Sequence, residues 1–255
     1  MRAIRAIAVN TFREAIRDRI LYLFLGFSVV LVVGSKLFGM LTVGDEAKIV
    51  KDLGLAAIQL FSMLIAVMMS LLLISREVDS RTVFNILAKP VRRWQFLLGK
   101  YFGLVAVVGA NLGLMTGVLV LVVWIYEHEL DPMLVFAAAM TMLEMLVLAA
   151  FATLFAVLTR PILGSLMTLS VYVVGHMSQD LWMLTRQLPG AFARAVIATV
   201  YYVLPNLERF DFRTEVVHDL AVPITAVGWA CLYALAFVVL VLFLANLRFR
   251  RKDLM

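Results

Sequence analysis

Charged residues and cysteines are scarce in this chain of 255 residues. Only 16% of the residues are charged and 64% are hydrophobic, whereas about 25% of a typical soluble domain is charged. Together with a mean hydropathy of +0.99, this composition excludes an ordinary soluble domain. The single cysteine, Cys231, excludes a disulfide within the chain and any cysteine-based metal cluster. We expect a protein that crosses a membrane several times.

The chain also lacks the motif of an ATPase. A phosphate-binding loop needs a glycine, four further residues and then Gly-Lys-Ser/Thr, because its backbone N–H groups surround the phosphates. The one Gly-Lys pair, Gly99-Lys100, has Trp94 at the position of the first glycine and Tyr101 after the lysine. No basic soluble surface with interleaved aromatic residues is present either. The sequence therefore predicts a chain that is not an enzyme and binds no nucleic acid.

Histidine is equally scarce, and this limits metal binding. His176 and Asp180 are four residues apart, and His218 and Asp219 are the other candidate ligands. Zinc needs three or four ligands, and nothing in the sequence brings the two pairs together. The 14 methionines are spread through the apolar segments, where they are typical of core filling. We predict no metal site and no cofactor in this chain.

Six apolar segments approach the length of about 20 residues that spans the hydrocarbon core as a helix. The predicted fold class is all-α, a polytopic membrane protein with one six-span transmembrane domain over residues 20–255. The predicted spans lie at about residues 20–38, 54–74, 101–125, 133–158, 162–178 and 222–247. A seventh and eighth span would need a longer apolar run than the chain offers.

The distribution of Lys and Arg predicts the orientation of the spans. Cytoplasmic segments of membrane proteins carry an excess of these residues. With both termini in the cytoplasm, 16 of the 23 Lys and Arg residues lie in cytoplasmic segments, and the outer loop near 126–132 has three acidic residues and no basic one. We expect a multi-pass protein of a bacterial-type cytoplasmic (inner) membrane.

Two further segments predict short helices. In residues 1–19, four arginines fall within an arc of about 120° when plotted at the helical period, which predicts an amphipathic helix at the interface with membrane lipids. The apolar side of that helix carries Ile4, Ile7, Ala8, Thr11 and Ala15. Between the fifth and sixth spans, segment 179–221 predicts two short re-entrant or interfacial helices in the outer leaflet, with breaks at Pro189-Gly190 and Pro205-Asn206.

The loop between spans two and three, residues 75–100, is compact and mostly basic. Ser80 can cap a helix, and Pro90 ends it by disfavouring helical geometry at the residue before it. A helix of about eight residues does not persist alone in water, so another surface must cover its apolar face. Lipid, the protein's own helices and a groove on a soluble partner are the candidates. The apolar face consists of Val83, Phe84, Ile86 and Leu87.

This loop resembles that of the permease subunits of ABC-2-type ATP-binding-cassette exporters, especially the small six-span type that includes copper-processing and gliding-motility permeases. Their loop commonly has an acidic residue, Gly-Thr, an aliphatic helix, Lys-Pro-Val, a basic residue and Gly-Lys. The matching residues are Glu77, Thr82, Ile86, Leu87, Lys89, Pro90, Val91, Arg92, Gly99 and Lys100, and Arg81 stands where the family usually has Gly. Further matches are Glu144, Gly175-His176 and Leu204-Pro205-Asn206.

The resemblance implies a permease subunit whose loop forms a cytoplasmic coupling helix that docks into an ATPase. ATP and Mg would bind to two separate ATPase chains, and a second permease chain would complete a homodimer or heterodimer. A periplasmic or accessory protein is a further expected partner. The predicted coupling residues are Glu77, Arg81, Thr82, Val83, Phe84, Ile86, Leu87, Lys89, Pro90 and Arg92.

Two features inside the spans are candidates for other roles. Glu144 lies deep in span four, where a charge costs about 2.5–3.5 kcal/mol, so it either lines the transport path or fixes helix packing, with Thr141 as a candidate partner. Gly109, Gly113 and Gly117 recur every four residues in span three, as in helix packing motifs within or between protomers. The alternative functions are an ATP-independent channel or ion-coupled carrier that uses Glu144, and a membrane scaffold.

Overall fold

A computed structural model describes residues 2–39, 46–79, 92–187 and 191–251 of the chain, and these ranges are almost entirely helical, without strands. This architecture confirms the predicted all-α membrane fold class. The elements are α1 (Arg2–Ile16), α2 (Arg19–Gly39), α3 (Glu46–Asp79), α4 (Arg93–Glu127), α5 (Pro132–Leu158), α6 (Pro161–His176), α7 (Ser178–Gln187), α8 (Ala191–Val203), a 3₁₀ helix (Leu207–Phe210), α9 (Arg213–Val217) and α10 (Ile224–Arg251).

Local sequence signals set several helix ends. Before α5, the Oδ1 atom of Asp131 accepts a hydrogen bond from the Met133 N–H at 2.9 Å, and Pro132 occupies the first turn, where its missing N–H costs nothing. Pro161 begins α6 in the same way. At the end of α4, His128 adopts a left-handed conformation with φ of 56°, which stops the helix. The α4–α5 connection is therefore a tight turn.

Four of the described helices are long and apolar enough to cross a membrane: they contain the segments Glu46–Ser70, Arg93–Ile125, Pro132–Leu158 and Ile224–Phe249. Helices α2 and α6 contribute the shorter apolar stretches Arg19–Ser35 and Pro161–His176. Whether these two complete a set of six spans stays a prediction.

Helix α5 forms the centre of the bundle. It packs against α3, α4, α6 and α10, and also contacts the 3₁₀ helix. Its buried face includes several alanines, such as Ala149, Ala150 and Ala152, and small residues let neighbouring backbones approach closely. By contrast, α10 contacts mainly α5 and α4 and exposes a broad apolar face, including Trp229 and Phe243.

The N-terminal helix α1 packs along the first turns of α4. A Cβ added at Gly99 would lie 2.7 Å from the Cβ of Ile7, and one added at Gly103 would lie 2.5 Å from the Cβ of Thr11. The apolar side predicted for this helix therefore faces protein, while Arg2, Arg5, Arg13 and Arg17 are exposed. The location of α1 at the lipid interface stays a prediction.

Three predictions of element boundaries differ from the structure. The third span was expected from about residue 101, but α4 already begins at Arg93. The second span was expected from about residue 54, but α3 already begins at Glu46, because the charged residues Lys51 and Asp52 form ion pairs within the helical assembly. In the outer segment, α7 and α8 lie on either side of Pro189-Gly190, where two short helices were expected. The prediction missed the 3₁₀ helix that follows them, whose Leu207 and Phe210 are buried in the core.

The glycines of α4 provide a matched test of the α1–α4 packing. We expect Gly103→Ala to destabilise the protein by about 1–3 kcal/mol, because the added methyl group meets the Thr11 side chain and, at 3.0 Å, the backbone oxygen of Ala8. The control is Gly113→Ala on the same helix, where nothing lies within 4 Å; it should be neutral or up to about 1 kcal/mol stabilising. Thermal unfolding in one detergent measures both variants, and equal stabilities would contradict the packing.

Candidate functional site

The predicted coupling residues fall mainly outside the described residues. Glu77 lies in the last turns of α3, and Arg92 is the residue that precedes α4. Their role in coupling stays a prediction. The coupling residues that lie outside the described residues are Arg81, Thr82, Val83, Phe84, Ile86, Leu87, Lys89 and Pro90.

The first turn of α4, directly after this stretch, is fixed to the rest of the protein. The Arg92 N–H donates to the Gln95 Oε1 at 3.1 Å, which closes the turn at the start of the helix. Arg93 Nη1 donates to the Phe249 carbonyl near the end of α10 at 3.2 Å. The Phe96 ring stacks on the Phe249 ring with centroids 6.0 Å apart. These contacts connect the start of α4 to the end of α10.

Lys100 of α4 adds a contact between this region and α1. Its side chain is buried, and its Nζ lies 3.7 Å from the Glu14 Oε2 of α1. The Nζ also lies 6.0 Å from the centre of the Phe96 ring, a distance at which a cation attracts the aromatic face. Helices α1, α4 and α10 therefore share one connected set of contacts at the end of the bundle that is predicted to be cytoplasmic.

Glu144 forms the centre of a polar cluster between three helices. Its side chain is 0% exposed. The Gln59 Nε2 of α3 donates to the Glu144 Oε2 at 3.0 Å and lies 3.0 Å from the His176 Nε2 at the end of α6. That imidazole nitrogen is 3.5 Å from the Glu144 Oε1. The cluster joins α3, α5 and α6 inside the bundle.

The partners of Glu144 differ from the one suggested by the sequence. Thr141 donates to the Ala137 carbonyl of its own helix at 3.1 Å, so it does not serve the carboxylate. Gln59 is separated from Glu144 by 85 residues, and only the helix packing brings them together. Two signals were available: Gln59 is a polar residue within an apolar segment, and His176 belongs to the family resemblance. Whether Glu144 lines a transport path stays a prediction.

A second set of charged residues fixes the end of the bundle that is predicted to face outward. The Nζ of Lys51, a side chain only 7% exposed, lies 3.0 Å from the Glu127 Oε2 and 2.8 Å from the Asp131 Oδ2. The next residue, Asp52, pairs with the Nε of Arg213 on α9 at 3.1 Å. Lys51 and Asp52 lie between the predicted spans 20–38 and 54–74, so a loop was expected here. The structure instead places this stretch in α3 and connects it to α4, α5 and α9.

The predicted glycine motif lies beside an open groove. A Cβ added at Gly109 would lie 3.2 Å from the Met142 Cε, while nothing lies within 4 Å of one added at Gly113 or Gly117. Gly113 and Gly117 line a largely apolar groove of about 450 Å³ between α4 and α5, together with Met142. Their role in packing against a second chain stays a prediction.

The part of the chain that the structure describes contains no group of three or more His, Cys, Asp or Glu residues that could hold a metal ion. Asp180, the candidate ligand four residues after His176, is exposed on α7. The cluster around Glu144 instead combines a carboxylate, an amide and one imidazole.

The long apolar helices define a polytopic α-helical membrane protein. Residues 5–254 match the family described as ABC-2 family transporter protein, and the chain belongs to this family. It is thus a membrane permease of an ATP-binding-cassette transporter, a family whose members associate with an ATPase of that class. Comparison with curated proteins gives no match.

The ion pairs of Lys51 predict a clear loss of stability when the cation is removed. Lys51→Met should destabilise the protein by about 3 kcal/mol or more, because it leaves Asp131 and Glu127 facing each other without their shared cation. Lys48→Met, one turn earlier and exposed, is the control and should cost at most about 1 kcal/mol. Unfolding in detergent at low and moderate salt measures both variants, and equal effects would refute a special role of the buried lysine.

Proposed function

We propose that this chain is the membrane-spanning subunit of an exporter driven by ATP hydrolysis on a separate ATPase. Two ATPase chains bind ATP and Mg, and two permease chains, identical or different, form the transmembrane path. The chain carries out no catalysis of its own. It lies in a cytoplasmic (inner) membrane with both termini in the cytoplasm, where an accessory or periplasmic protein and the surrounding lipids are its further partners.

The way in which α4 is held at its first turn carries this proposal. A coupling helix is useful only if its motion reaches the spans. In the chain, the predicted coupling helix is followed directly by Arg92, Arg93 and Phe96 at the start of α4. Because Arg93 and Phe96 contact α10 and Gly99 contacts α1, a displacement at the start of α4 acts on three helices together. Family membership supports the ATPase as the source of that displacement.

The predicted apolar face of the coupling helix can be tested directly. We expect the double variant Phe84→Asp/Leu87→Asp to abolish copurification with the partner ATPase, because two carboxylates would have to enter an apolar groove. Membrane insertion should be unchanged. Pull-down from detergent-solubilised membranes, with the amount of permease normalised, measures the association.

The matched control places the same two charges on the opposite side of the membrane. Leu130 is 71% exposed and Leu220 is 52% exposed, both in connections expected to lie outside, so Leu130→Asp/Leu220→Asp should leave copurification at the wild-type level. Full ATPase binding by the Phe84/Leu87 variant would refute the predicted interface. If the ATPase binds but hydrolyses ATP at the same rate with and without the permease, the scaffold function would be favoured.

The proposed topology predicts a distinct labelling pattern. With Cys231 replaced by Ala, a cysteine at Leu130 or Asp219 should react with an impermeant maleimide added from outside. A cysteine at Arg5 or Arg160 should react only after the membrane is opened. If α6 does not cross the membrane, positions 160 and 219 will react from the same side, and the six-span arrangement will be wrong.

A further inference from the structure

One buried oxygen of Glu144 has no hydrogen-bond partner among the described residues. Its Oε2 accepts from Gln59, whereas its Oε1 is inaccessible to solvent and makes no hydrogen bond there. The nearest polar group in the cluster is the His176 Nε2, 3.5 Å away, just beyond an ordinary hydrogen-bond distance. A buried carboxylate oxygen without a partner is costly. A hydrogen between these two atoms would remove that cost.

The hydrogen-bond pattern favours one tautomer of His176. Its Nδ1 lies 3.1 Å from the Tyr172 carbonyl, which can only accept, so Nδ1 carries a hydrogen. The amide nitrogen of Gln59 has two hydrogens, and it directs them to the Glu144 Oε2 and the His176 Nε2. With the amide oriented in this way, the Nε2 is an acceptor.

We propose that Gln59, Glu144 and His176 form a proton-binding site, with one proton shared between the Glu144 Oε1 and the His176 Nε2. The proton comes from water through the His176 side chain, which is 23% exposed while Glu144 is fully buried. Binding forms one N–H bond at Nε2, and the imidazole becomes a cation that donates to the carboxylate.

Proton binding changes which helices are joined. A protonated Nε2 can no longer accept from Gln59, since both groups would then be donors. The hydrogen bond between α3 and α6 breaks, and a charge-assisted hydrogen bond between α5 and α6 replaces it. Charge-assisted bonds are shorter than neutral ones, so the gap of 3.5 Å closes. The end of α6 therefore moves toward α5 when the proton is bound and toward α3 when it is released.

The other ionisable and charged groups of the surrounding elements have contacts of their own, so the proton binds to Glu144 and His176. On α4, the Tyr101 hydroxyl donates to the Leu146 carbonyl at 3.1 Å. On α10, the Tyr233 hydroxyl accepts from the Asn206 N–H at 2.8 Å, and Arg209 of the 3₁₀ helix lies over the Tyr233 ring. Arg213 of α9 is paired with Asp52 of α3.

Two further groups belong to the elements around the cluster. Asp211 follows the 3₁₀ helix, which contacts α5 and α6, and its Oδ1 accepts from the Arg213 N–H at 3.0 Å. The Tyr172 ring packs against the His176 ring with centroids 4.4 Å apart. The aromatic contact keeps the imidazole oriented toward Glu144.

The chain contains three histidines, so the site can be observed with one label. His128→Asn and His218→Asn remove the other two, and asparagine tolerates the left-handed backbone at position 128. The full chain, labelled with ¹⁵N-histidine and held in lipid nanodiscs, is then measured by NMR at pH 8 and pH 5.5. No ATPase is needed, so the result does not depend on the proposed function.

We expect the Nδ1–H tautomer of His176 at pH 8 and a doubly protonated ring at pH 5.5. Glu144→Gln, which keeps the shape of the side chain but cannot ionise, should lower the doubly protonated fraction at pH 5.5 at least fivefold. Glu144→Asp should retain most of it. The matched control is Asp180→Asn, an exposed carboxylate one turn further along, which should change the fraction less than twofold.

Three outcomes would overturn the proposal. One is an Nε2–H tautomer at pH 8 in the protein with Glu144 unchanged. In that tautomer the His176 Nε2 cannot accept a hydrogen bond from Gln59. The second is an unchanged protonated fraction in Glu144→Gln. The third is an equal loss in Asp180→Asn, which would mean that His176 responds to general surface charge. Size-exclusion elution verifies that each variant is folded.

Discussion

Helix α5 leaves no exposed side chain from Met140 to Val157, and the rest of the bundle is arranged around this burial. In lipid the hydrophobic effect does not drive helices together, because the surrounding chains are as apolar as leucine; association depends on close packing and internal hydrogen bonds. The alanines of α5 allow α3, α4, α6 and α10 to approach. Its one ionisable residue, Glu144, must find its partners on those helices. The same burial that makes α5 the centre of the fold therefore also creates the polar cluster.

Hydropathy could predict the helices but not how they are rotated against one another. Four of the six apolar runs match helices close to the expected bounds, whereas α3 and α4 each begin eight residues before the expected span, at Glu46 and Arg93. The breaks at proline and glycine separated α7 from α8. Packing faces were harder, since a glycine repeat shows where a helix can be approached and not which neighbour approaches it. Gly113 and Gly117 follow the repeat and yet lie beside an open groove, whereas Gly99 and Gly103, which lie outside the proposed motif, hold α1.

The polar contacts show the same limit more strongly. The cost of a charge in a span identified Glu144 from the sequence alone. Gln59 and His176, however, lie on other helices. Their distance from Glu144 depends on how the helices are shifted and rotated against one another, which composition does not reveal.

Lys51 was expected in a loop, because charged residues usually mark the end of an apolar run. In the structure two carboxylates neutralise it, so α3 continues through charges that would otherwise have ended its buried part. Pairing between distant residues cannot be read from either residue separately.

Helix α3 connects the three regions that carry the functional argument. Its 34 residues make a rod of about 51 Å at 1.5 Å per residue. Its last turns lead into the predicted coupling stretch, Gln59 lies in its first half within the Glu144 cluster, and Lys51 and Asp52 near its start form the outer ion pairs. A rigid helix moves as a unit, so a force at its inner end must be balanced at the cluster or at the ion pairs. The contact at the cluster is weaker than the ion pairs, because Gln59 contacts His176 through one neutral hydrogen bond while Lys51 pairs with two carboxylates. Relative motion between α3 and α6 should therefore begin at Gln59 and His176, where a single proton decides which helix α6 follows.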